Sequence, residues 1–138
     1  MTTAKSTVSF EPPDMTVWRF HGDVSEDGMR ALTLREKQLI DGLPYLLKLV
    51  DMRRAGNITA GARKAGAEKV HDVPVKAVAI FGANFAIRVL ANLVVRAGSI
   101  LRKIDTVPTR FFETEEEGRA WLSSKRDEIQ LNETRESV

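Results

Sequence analysis

VKAVAIFGANFAIRVLANLVVRAGSILRKI, residues 75–104, holds a buried strand, a glycine break and an apolar helix in direct succession. From Val75 to Phe81 the residues are apolar almost without alternation, the pattern of a strand covered on both faces. Gly82 interrupts it, and a helix is expected over Phe85 to Ile104. Its polar positions Arg88, Asn92, Arg96, Ser99 and Lys103 recur at intervals of 4, 4, 3 and 4 residues and so make one narrow stripe, with only Arg102 outside it. The other faces carry Phe85, Ile87, Leu90, Leu93, Val94, Ile100 and Leu101, more than the single apolar stripe that one sheet face can cover. A second copy of the chain, another protein or an apolar ligand would supply the missing cover. At about 1.5 Å per residue the helix could cross a bilayer, but Arg88, Asn92 and Arg96 lie inside it, so no integral membrane segment is expected.

Outward from this stretch, strands and helices alternate. Tyr45 to Val50 predicts another buried strand with Asp51 at its end, and Thr59 caps a short helix running to about His71. Thr7 to Phe10 and Met15 to His21 predict a hairpin around Glu11-Pro12-Pro13-Asp14. Asp23 or Ser25 begins a helix to about Asp41, with Met29, Leu32, Leu39 and Ile40 inward. Thr106 to Phe112 reads as the last strand, at a sheet edge because it contains Pro108. Thr114 and Glu117 form the capping box of a final helix carrying Trp121 and Leu122. The expected architecture is one α/β domain over residues 1–131, a mostly parallel or mixed five-stranded sheet with about four helices, followed by a polar tail over 132–138.

Composition narrows the function classes. The 138 residues are 43% apolar and 29% charged, enough for one core. Without cysteine there is no disulfide or thiolate chemistry, and the first 20 residues show no basic segment followed by an apolar one, so a cytoplasmic location is expected. The net charge of +2 is too even to indicate nucleic-acid binding. Arg53, Arg54, Arg63, Lys64 and Lys69 make a locally basic region and Glu113, Glu115, Glu116 and Glu117 an acidic one, both read as solvated faces. His21 and His71 lack metal-ligand spacing, and no nucleophile elbow, phosphate loop or dinucleotide signature is present. No metal, no cofactor and no catalytic residue is expected.

In parallel sheets, ligands gather at the carboxyl ends of the strands. That edge would collect His21, Asp23, Asp51, Arg53, Arg54, Asn57, Thr59 and Asn84. The order of elements, with LLKLVDMRRAGNITAG at 46–61 and TRFFETEEEGRAWL at 109–122, resembles the SpoIIAA-like branch of the STAS superfamily, a fold similar also to the lipid-binding CRAL-TRIO or Sec14 domain. In bacterial anti-sigma-factor antagonists of that superfamily an Asp-Ser-Ser-Gly segment carries a phosphorylated serine. Matching on Gly61 places Thr59 and Ala60 at the serine positions and Ile58 at the Asp, so the resemblance implies Thr59 as the phospho-acceptor. Two readings follow. In one, the chain is a non-enzymatic regulatory or protein-interaction module, self-associating or binding another protein. In the other, it carries or senses a small apolar, lipid-like ligand under helices 59–71 and 84–104. The candidate ligand or partner surface is Asp51, Arg53, Asn57, Asn84, Phe85, Arg88, Leu93, Val94 and Arg96.

Overall fold

The computed structural model describes residues 5–84 and 107–136. Among the described residues five strands form one sheet in chain order: β1 (Thr7–Glu11), β2 (Met15–Val24), β3 (Leu46–Ile58), β4 (Val75–Phe81) and β5 (Thr109–Phe112). Only β1 and β2 are antiparallel, because the short turn with its cis Pro12–Pro13 bond can join only antiparallel neighbours; the other pairs are parallel. Among the described residues there are three helices, α1 (Glu26–Leu39), α2 (Ala60–Ala67) and α3 (Glu115–Glu136). The helix expected over Phe85 to Ile104 lies outside the described residues.

Alternation along the strands divides the core into two layers. Trp18, Phe20 and Met52 point toward α1 and α2, where they meet Met29, Ala62 and Ala65. Met15, Val17, Leu47, Leu49, Ala77, Ala79 and Phe81 point the other way, onto Leu122 and Trp121 of α3. Small residues let α3 settle closely: a Cβ on the buried Gly118 would lie 3.2 Å from Leu49 Cδ1. Val78 and Ile80 are half-buried on the opposite face of β4. Tilted Phe112 and Trp121 rings, 5.8 Å apart, tie β5 to α3.

Several boundaries differ from expectation. β3 does not stop at Asp51 but continues to Ile58, because β2 is long enough to pair with it as far as Val24↔Ile58. β5 begins at Thr109, so Pro108 precedes the strand, and its carbonyl accepts the Val78 N–H at 2.9 Å. The second helix closes at Ala67 rather than near His71, leaving Glu68–Pro74 as a linker to β4. Residues 132–136, expected as tail, continue α3. The caps hold: Ser25 Oγ accepts the Gly28 N–H at 3.1 Å, and Thr114 Oγ1 accepts the Glu117 N–H at 3.2 Å.

Candidate functional site

The carboxyl edge of the sheet owes its shape to unequal strand lengths. β3 makes its last pair with β4 at Asp51↔Phe81, yet stays paired to β2 for seven residues more, from Met52 to Ile58. β2 and β3 therefore run on as a two-stranded ribbon, its register shifting between Arg19 and His21 and again between Gly22 and Val24. Asp23 closes the end of the ribbon by accepting the Asn57 N–H at 2.8 Å. Gly56 is required there, since a Cβ would stand 2.4 Å from Asp23 Oδ1. Past the ribbon Thr59 turns the chain into α2, and its Oγ1 accepts the Ala62 N–H at 3.1 Å.

The outward groups of this region are basic. Arg53, Arg54, Asn57, Thr59, Arg63 and Lys64 are exposed, and Arg54, Arg63 and Lys64 form no ion pair among the described residues. Beneath them α2 leaves little space. Ala62 and Ala65 are 0% and 1% exposed, and a Cβ on Gly66 would lie 3.4 Å from the Met29 sulfur.

Asp51 belongs to a different neighbourhood. Its side chain lies on the α3 face, where Oδ2 accepts from Arg19 Nη1 and Arg53 Nη2, each at 2.9 Å. Oδ1 takes the Arg53 backbone N–H at 3.0 Å, and Arg19 reaches on to Glu115 at 3.0 Å. Burial would raise the Asp51 pKa, but the hydrogen bonds from Arg53 and Arg19 hold it below the ordinary carboxylate range. Arg53 also lies over the Phe81 ring at 5.2 Å. The structure thus brings Asn57 and Thr59 to one edge and leaves Asp51 as a junction of β2, β3 and α3. Asn84 is exposed just beyond Gly82. Phe85, Arg88, Leu93, Val94 and Arg96 lie outside the described residues.

A second polar cluster went unread in the sequence. Glu36 of α1, 1% exposed, accepts from Trp18 Nε1 at 2.6 Å and Thr16 Oγ1 at 2.9 Å, and pairs with Lys48 Nζ at 2.9 Å. The signal was its position, four residues after Leu32 and three before Leu39 on the inward stripe of α1, where a carboxylate must find donors. Among the described residues no group of three His, Asp or Glu side chains could hold a metal ion, and no helix is long and apolar enough to cross a membrane.

A search of curated proteins finds no match. Among solved structures, an uncharacterised protein of the DUF3478 family with a SpoIIAA-like fold, from Shewanella loihica, aligns with a TM-score of 0.61 at 17% identity, over 88% of this chain and 98% of that one. At that identity the likeness is one of fold, and it agrees with the mixed sheet found here. The SpoIIAA-like family model matches residues 15–123, from the first residue of β2 into α3. With most of the sheet and the three described helices inside or overlapping that match, the chain belongs to the SpoIIAA-like family, of STAS type.

Proposed function

We propose that this protein is a non-enzymatic regulatory or protein-interaction module of the cytoplasm, binding a protein partner or a second copy of itself at the ribbon end of β3 and the start of α2. The observation that carries the reading is the overhang of β3: from Met52 to Ile58 it is paired only to β2 among the described residues, and its Arg54 and Asn57 are exposed, as are Arg63 and Lys64 of the helix that follows. A half-paired strand with basic, exposed side chains suits an acidic segment that can add backbone hydrogen bonds. Close packing of Ala62 and Ala65 supports the same reading over a carrier of an apolar molecule, which would need room beneath α2. Thr59 offers this surface a means of regulation, since a phosphate on its exposed hydroxyl would meet the first N–H groups of α2 with Arg63 one turn on.

Native mass spectrometry of gently purified protein tests the proposal. A dimer or a defined protein complex, lost in the Arg54→Glu/Arg63→Glu variant, is expected. Monomer that retains a small apolar molecule would sink the interaction reading in favour of the carrier.

A further inference from the structure

At the other end of the sheet, His71 shares a buried carboxylate with a lysine. It stands in the linker between α2 and β4, its side chain 12% exposed, with Nε2 3.6 Å from Glu36 Oε1. That oxygen is already held by Lys48 Nζ at 2.9 Å, while Thr16 and Trp18 occupy the other. His71 Nδ1 is buried and, among the described residues, has no partner in hydrogen-bonding geometry, the Val73 backbone being its polar neighbour. Beside the linker lies a cleft of about 530 Å³, lined by Lys37, Ile40 and Asp41 on one side and Lys69, Val70 and Asp72 on the other.

A second cation would be poorly placed at Glu36, because Thr16 and Trp18 fill one carboxylate oxygen and Lys48 holds the other, leaving a charged ring only the longer 3.6 Å approach. As the neutral imidazole, His71 turns its Nε2–H to Glu36, and Nδ1 carries no proton that would need an acceptor. A proton would set a second positive charge against Lys48, itself confined over the Trp18 ring at 5.4 Å. Glu36 and the Val73 backbone favour the cation, whereas burial and Lys48 oppose it; burial, the largest influence, pushes the His71 pKa below its ordinary value. The remaining charged groups that line the cleft, Lys37 and Lys69 against Asp41 and Asp72, are two of each sign and exposed. The cleft gives the linker somewhere to move when the imidazole must reach water.

We propose that His71, Glu36 and Lys48 form a proton-sensitive latch: neutral His71 holds the Glu68–Pro74 linker against α1 and β3, and protonation releases it. The fold favours the neutral ring, so the latch is closed above the ordinary histidine value of about 6.5 and opens as pH falls below it. This device is independent of the interaction surface, which lies at the opposite edge.

Trp18 reports on it, because its indole N–H binds the same carboxylate, while Trp121 on the far face of the sheet serves as a control. In a titration of ¹⁵N-labelled full-length protein from about pH 7.5 to 5, the Trp18 indole resonance should follow one transition with a midpoint below about 6.5. Linker amide protection, corrected for intrinsic exchange, should fall by up to about tenfold per pH unit as pH drops from about 6.5 toward that midpoint, and level off below it. His71→Gln, which cannot take up the proton, should abolish both changes. Lys48→Met, which removes the repelling cation, should move the midpoint upward, and carries the test if His71→Gln fails to fold. The proposal is overturned if linker protection is constant over this range, if the transition persists in His71→Gln, or if Lys48→Met leaves the midpoint unmoved.

Discussion

Gly82 shows how a single residue can be fixed twice. Its φ of +73° lies in the left-handed region, and a Cβ there would come within 2.3 Å of Arg53 Cγ and 3.1 Å of the Arg53 backbone nitrogen. The sequence disclosed the first demand, since a glycine between an apolar strand and a helical pattern marks a break. It could not disclose the second, because nothing local places Arg53 across from residue 82. Gly82→Ala should therefore lower stability by about 2–4 kcal/mol, measured by urea unfolding. Gly42 supplies the comparison: at φ +84° with nothing within 4 Å of its Cβ position, Gly42→Ala should cost only about 1–2 kcal/mol. Equal losses at the two glycines would mean that the Arg53 contact relaxes without cost. Glu36 was hidden for a different reason: a helical stripe is recognised by its apolar members, and a carboxylate within it is skipped unless its donors, contributed by β2 and β3, are already known.

At the scale of elements, type was easier to read than extent. Apolar runs revealed β3 and β4, but the continuation of β3 through Met52-Arg53-Arg54-Ala55-Gly56-Asn57-Ile58 carries few apolar side chains to announce it. Its pairing comes from β2, a tertiary cause. α2 was legible at its start and not at its end: Thr59 is a strong cap, whereas Glu68 to His71 contains neither glycine nor proline to mark a stop. The cap makes a prediction suited to this scale. Thr59→Ala should cost about 1 kcal/mol, while Thr59→Ser, which keeps the oxygen that accepts the Ala62 N–H, should cost no more than a few tenths, both read from thermal unfolding. Thr59→Glu separates a cap from a regulatory site: a changed protein complex in native mass spectrometry without matching loss of stability supports phosphorylation at this position, and an unchanged complex leaves Thr59 as a cap.

Across the whole molecule, charge joins what the two apolar layers do not. α3 is far more polar than an ordinary core helix, and it is tied to the sheet by Glu115 with Arg19, Arg119 with Glu11 at 2.7 Å, and Arg126 with Asp14 at 2.6 Å. The sequence could suggest that α3 packs through Trp121 and Leu122, but these ion pairs join residues about a hundred positions apart and no local pattern foretells them. Burial works to raise the Asp14 pKa, yet hydrogen bonds from Arg126 and Tyr45 keep it below the ordinary value, while burial, joined by the contact with Asp14, pushes the Tyr45 hydroxyl up to about 12. Glu11 and Glu115 are lowered too, chiefly by hydrogen bonds from Arg119 and Arg19 respectively. For a lowered carboxylate the sign is fixed: its stabilisation is complete above the unfolded value, near 4, and is lost as pH falls through the folded one. Asp14→Asn keeps the side-chain shape but removes the charge, and should lower stability at pH 7 by about 1–3 kcal/mol. In urea unfolding the deficit should shrink as pH drops below about 4 and Asp14 of the parent protein becomes protonated as well. Curves that instead stay parallel down to pH 3 would assign the loss to altered packing around Tyr45 and Arg126, and would remove charge as the reason α3 holds to the turn between β1 and β2.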